Sequence, residues 1–88
     1  MDITKLIKTG MKEGNIILGY KTVLKAMKTA HPKLVVFANN LPKEKRREVE
    51  YIARIANIEI KEYPKDNINL GLVCGKPFPV SILAIKGR

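Results

Sequence analysis

Few side chains in this 88-residue chain are equipped for covalent or metal chemistry. There is one histidine, His31, one serine, Ser81, and one cysteine, Cys74. A hydrolytic triad needs serine, histidine and a carboxylate held in one hydrogen-bonded line, and no spacing here sets His31 beside Ser81. One His and one Cys also fall short of the four N or S ligands of an ordinary zinc site. "GLVCGK" (71–76) has the look of a phosphate loop, but three residues separate its glycines and Pro77 follows the lysine. The P-loop requires four residues and then Ser or Thr. The eight acidic residues are scattered, three of them (Glu44, Glu48 and Glu50) on the expected third helix, so no carboxylate pair is supported. The chemistry available is that of binding, and neither catalytic residues, a metal nor a cofactor is expected.

Groups that bind polyanions are plentiful. Seventeen Lys and Arg stand against eight Asp and Glu, a formal net charge of +9. Such a surplus attracts nucleic acid or an anionic membrane surface. No apolar run approaches the roughly 20 residues of a membrane span. "MDITKLIKTGMKEG" lacks the unbroken apolar stretch of a secretory signal. Nucleic acid is therefore the expected partner, without a membrane. The lone Cys74 excludes an internal disulfide and reads as a small core residue in a cytoplasmic protein.

Three short stretches could form the binding groups. "LGYK" (18–21) enters a helix, whose first N–H groups and dipole favour phosphate. Gly19 there permits close backbone approach, Tyr20 follows it, and Lys21 adds a mobile charge. "ANN" (38–40) ends a strand with Asn39 and Asn40, two amides able to read base edges by paired donor and acceptor. Helix capping by Asn40 is the alternative. "GKPFPV" (75–80) holds Lys76, Pro77, Phe78, Pro79 and Val80 in a stiffened loop. An ordinary turn needs no Phe or Val. Either Phe78 and Val80 stack on unpaired RNA bases, at low entropic cost because the loop is stiff, or they tuck into the core.

These stretches need elements to hold them. The length fits one domain, 1–88. Ile3, Leu6, Ile7 and Met11 are spaced as a first helix over about 2–12, with Asp2 available as its cap. "NIIL" (15–18), between Gly14 and Gly19, predicts a buried strand. Tyr20, Val23, Leu24 and Met27 form the core stripe of a second helix, while Lys21, Lys25 and Lys28 form a basic stripe beside it. A continuous apolar strand over 34–38 follows the break at Pro32. A third helix follows, with Pro42 in its first turn, Val49, Ile52, Ala53 and Ala56 facing inward, and Glu50 paired with Arg54. "IEIKEY" (58–63) alternates as a strand. "DNINLGLVCG" predicts a short helix from Asp66 or Asn67, stopped at Gly75. "PVSILAI" (79–85) closes as a strand. Strands alternating with helices predict an α/β class with helices on both faces of a sheet; the strand order is not readable.

Taken together, "GNIILGYKTVLKAM", "KLVVFANNLP", "VEYIARIANI" and "NINLGLVCGKPFPVSILAI" resemble the L-thirty-e family of archaeal and eukaryotic large-subunit ribosomal proteins. That family lies within the kink-turn RNA-binding superfamily named for ribosomal protein L-seven-Ae. The resemblance spans nearly the whole chain. It implies a three-layer α/β/α sandwich with a small mixed four-stranded sheet, and residence in the large ribosomal subunit. It also implies a grip on an internal loop of ribosomal RNA by Gly19, Tyr20 and Lys21, by Asn39 and Asn40, and by Lys76, Pro77, Phe78, Pro79 and Val80, with Lys25 and Lys28 on flanking phosphates. Other large-subunit ribosomal proteins would be neighbours in the particle, and outside it the protein would be a monomer. Superfamily members that serve guide RNAs carry "NE" at the second-helix start. "GYK" stands there in this chain, which favours the ribosomal branch over the guide-RNA branch; a free-standing kink-turn protein of a guide-RNA particle or acting on its own messenger is the second expectation. A protein-interaction module on the same scaffold is the third expectation, and the +9 charge argues against it.

Overall fold

The computed structural model describes residues 3–86; the expected Asp2 cap lies outside them. Eight elements alternate: α1 (Ile3–Glu13), β1 (Ile16–Leu18), α2 (Tyr20–Thr29), β2 (Leu34–Ala38), α3 (Lys43–Ala56), β3 (Glu59–Tyr63), α4 (Asn67–Val73) and β4 (Ile82–Ile85). The strands form one mixed sheet in the order β1-β4-β2-β3. β4 runs antiparallel to both β1 and β2, whereas β2 and β3 are parallel.

The unbroken apolar run of β2 reflects burial on both faces, as expected for a sheet covered by helices on either side. Val35 and Phe37 point into one core, with Val23 and Met27 of α2 and Val49 and Ile52 of α3. Leu34, Val36 and Ala38 point into the other, with Ile7 of α1 and Leu70 of α4. The result is the expected three-layer α/β/α sandwich. Cys74 is a buried member of the second core, and desolvation there pushes its thiol pKa up, offset in part by nearby Lys76.

Three local expectations need correction. β4 begins at Ile82, not near Pro79, because the Val80 N–H turns to the Asn67 carbonyl (3.0 Å) instead of a sheet partner. Pro42 stands one residue before the first helical turn of α3, as its N-cap, and its carbonyl accepts the Arg46 N–H at 2.9 Å. Glu50 pairs back to Arg46 (3.5 Å) rather than forward to Arg54, and the same guanidinium reaches Glu62 of β3 at 3.0 Å.

Candidate nucleic-acid interface

Strand direction decides which loops meet. Because β4 is antiparallel to β1 and β2, its start lies beside their ends: Leu18 pairs with Leu83, and Phe37 with Ile82. "LGYK", "ANN" and "GKPFPV" therefore gather at one end of the sheet. Backbone hydrogen bonds tie them there, from Gly19 N–H to the Ile82 carbonyl (3.4 Å) and from Ala38 N–H to the Ser81 carbonyl (2.8 Å). His31 precedes the start of β2, at the opposite end of the sheet from Ser81, so the two cannot form a dyad.

At the α2 entrance Gly19 has φ +102, a value that favours glycine, and no side chain caps the helix. Its first N–H groups have no intrahelical acceptors, and its first turn holds no acidic residue. The Tyr20 side chain turns from this mouth toward α3, where its hydroxyl donates to Glu48 and the Lys45 ammonium sits 5.0 Å from its ring centroid. Burial, and then the bond to Glu48, push the phenol pKa up to about 12. Lys21 and Lys25 are exposed on the outer face of α2. Lys28 is also exposed but lies near the far end of the helix, about 13 Å along its axis from Gly19 at 1.5 Å per residue. It is not part of the loop cluster.

Asn39 and Asn40 are both exposed, yet both already hold other chain segments. Asn39 donates through Nδ2 to the Pro64 carbonyl (3.2 Å) and through its backbone N–H to the Lys65 carbonyl (3.0 Å). Asn40 accepts the Asn67 N–H at Oδ1 (3.0 Å) and donates from Nδ2 to the Asn67 side-chain oxygen (3.0 Å). Asn40 thus caps a helix, but it is α4, distant in sequence, and not the adjacent α3. Asp66 accepts the Asn69 N–H at the same helix start (3.0 Å), and that bond holds its carboxyl below its ordinary pKa.

Phe78 and Val80 divide between the two readings left open for them. Phe78 is 52% exposed, and Val80 is 3% exposed within the second core. Val80 therefore anchors the loop with its side chain and does not offer it to a ligand, a correction that follows from its seat in the second core, where the Asn67 carbonyl holds its N–H at 3.0 Å. Gly71 of α4 lets the loop lie flat: a Cβ there would stand 2.3 Å from the Phe78 carbonyl oxygen. Between the α2 entrance and this loop is an open hollow of about 340 Å³, bordered by Gly19, Tyr20, Lys45, Phe78 and Pro79. On the loop's other side Phe78, Pro77 and Lys76 share a smaller depression with Ile68 and Leu72. Those two residues of α4 are 59% and 68% exposed.

The sequence reading missed Lys45, Ile68 and Leu72. Lys45 is hidden in the charge run "KEKRR". Ile68 and Leu72 had a signal, since a helix as apolar throughout as "NINLGLV" must expose part of itself when only one face meets the sheet.

Known proteins resemble this chain along nearly its whole length. The family model described as ribosomal protein L7Ae/L30e/S12e/Gadd45 matches residues 1–88. Large ribosomal subunit protein eL30 of Methanocaldococcus jannaschii is 42% identical over 97% of this chain and 77% of its own length. The protein of the same name from Methanothermobacter thermautotrophicus is 38% identical over 98% and 88%, and that from Zea mays 39% identical over 96% and 75%. These relatives carry the names of ribosomal proteins and not of enzymes. In structure, the Giardia lamblia 15.5kD RNA binding protein superposes with a TM-score of 0.88 over 98% of this chain and 72% of its own, at 20% identity, a likeness of fold. A match along the full chain, on a sheet whose order brings the three quoted loops together, leads to one assignment: the chain belongs to the ribosomal protein L7Ae/L30e/S12e/Gadd45 family.

Proposed function

We propose that this protein is a structural component of the large ribosomal subunit, and that as one RNA-binding domain it holds a kink-turn or related internal loop of ribosomal RNA. The observation that carries this reading is the meeting of an uncapped, acid-free helix entrance with an exposed, proline-braced phenylalanine across one open hollow. The first offers N–H groups and lysines to phosphate, which positions the RNA; the second offers an apolar face to a splayed base. The relatives named as large-subunit proteins support the location in the ribosome, and hence in the cytoplasm, beside other proteins of that subunit. In this reading Gly19, Lys21 and Lys25 meet the backbone, and Phe78, with Pro77, Pro79 and Lys76, meets the bases. Tyr20, Asn39, Asn40 and Val80 keep these groups in register. Outside the ribosome the protein acts as a monomer.

A gel-shift titration at two salt concentrations tests this. It compares a kink-turn RNA, the same RNA without its tandem sheared G·A pairs, and a plain duplex of equal length. The expected result is a strong preference for the intact bend. Equal, salt-sensitive binding to all three would remove the claim of structure-specific recognition.

A further inference from the structure

A second cationic surface lies on the opposite face of the sheet from α2. Lys5, Lys8 and Lys12 follow i, i+3, i+7 along α1, and all three are exposed. The stripe spans about 10 Å along the axis at 1.5 Å per residue. Lys33 and Lys86 flank α1 at the sheet end away from the loops. Lys33 N–H donates to the Ile85 carbonyl (2.9 Å) and Lys86 N–H to the Asn15 carbonyl (2.8 Å), and both lysines border one depression with Thr9, Gly10 and Glu13 of α1. None of these five lysines makes an ion pair among the described residues. The nearby acids are otherwise engaged: Glu13 accepts from Asn15 Nδ2 (3.2 Å) and Glu59 faces Lys61 (3.8 Å). The remaining glutamates stand on α3 and β3, where Glu48, Glu50 and Glu62 have partners of their own.

We infer that the α1 stripe, flanked by Lys33 and Lys86, is a second nucleic-acid contact that grips the phosphate backbone of a double-stranded RNA while the loop end holds the first RNA. Phosphate contact by lysine is tolerant of sequence and needs no pocket. A membrane surface is the poorer occupant, because a surface-lying helix needs a free apolar face. The apolar side of α1 (Ile3, Leu6, Ile7, Met11) is taken up by the core. A protein partner is also poorer, since lysine is depleted from protein interfaces and the stripe carries no aromatic anchor. The inference concerns a different face from the proposed kink-turn grip and does not depend on that grip's specificity.

The test uses the full chain, saturated with kink-turn RNA and titrated with a labelled plain duplex at two salt concentrations. The wild type is expected to form a ternary complex. K5Q/K8Q/K12Q is expected to weaken duplex uptake at least about tenfold and to lower its salt slope by about 2–3, at roughly 0.7–0.9 per lost phosphate contact. Its kink-turn affinity stays within about twofold at the higher salt, where long-range attraction is screened. The lysines are exposed, so an unchanged melting curve verifies folding. Failure of the wild-type complex to take up duplex overturns the inference, as does undiminished uptake by the triple variant. Equal loss at both RNAs also overturns it, because the two stripes would then be one surface. Comparable binding of the wild type to anionic-lipid vesicles and to duplex overturns the choice of RNA. Loss of discrimination for the bend, with the duplex arm as expected, removes only the kink-turn reading.

Discussion

Asn40 and Asn67, 27 residues apart in sequence, hold each other through two hydrogen bonds of 3.0 Å, one side chain to side chain and one side chain to backbone. The Asn67 carbonyl then accepts the Val80 N–H at 3.0 Å. This relay runs from the loop after β2, through the first residue of α4, to the loop that carries Phe78. Asn40→Ala is expected to lower stability by about 1 kcal/mol, the usual scale for a lost hydrogen bond, and to weaken RNA binding through disorder of the 76–80 loop. Urea denaturation and a binding titration on the same preparation check this. Weakened binding at unchanged stability would mean that Asn40 touches the RNA itself.

Phe78 and Val80 should separate cleanly. Phe78→Ala removes an exposed ring, so stability should move by no more than about 0.5 kcal/mol. Binding should fall by roughly 1–3 kcal/mol if a base stacks there. Val80→Ala opens the core and should cost about 1–3 kcal/mol of stability. Thermal melts and filter binding of the two variants decide it. A Phe78→Ala variant with full affinity would end the stacking assignment.

Gly71 and the Phe78 carbonyl are too close for any other residue. Gly71→Ala must push the 76–80 loop off α4, because the obstructing atom is backbone and cannot rotate away. The expected cost is about 1–3 kcal/mol, as for other overpacking changes, with a loss of RNA affinity at least as large as that of Phe78→Ala. Amide exchange in residues 76–80 reports the displacement directly. Unaltered exchange would contradict the close contact.

Lys25 lies on the exposed face of α2, one turn past the loop cluster. Lys25→Ala should weaken every RNA alike and flatten the salt slope by about 0.7–0.9. A change in preference between bent and straight RNA would assign it to readout instead.

Tyr20 supplies a pH signature. Its folded pKa, about 12, stands above the ordinary 10.0 because of burial and the bond to Glu48. A group raised in this way contributes stability that is complete below pH 10 and is lost as the pH climbs toward 12. The melting temperature should fall over that window, and Tyr20→Phe should remove this component of the fall. An absorbance titration of tyrosinate in the native protein, compared with the Phe variant, locates the group.

The sequence by itself determined the class, the element order and the chemistry on offer. Apolar spacing in α1, α2 and α3 is a local consequence of a 3.6-residue period, and the continuous run in β2 follows from burial on both faces. The +9 charge and the absence of paired catalytic groups needed no coordinates. The candidate loops were legible as three separate stretches, since Gly19, the Asn pair and Pro77–Phe78–Pro79 are unusual for connections. Their meeting was implied by the family resemblance and by no local pattern. It follows from β4 lying antiparallel between β1 and β2, and strand order is set by long-range packing that no local pattern encodes. The same cause explains why Asn40 caps α4 rather than the adjacent α3, and why Val80 turns inward while Phe78 does not. Each depends on a partner distant in sequence, and only the tertiary structure brings those partners within reach.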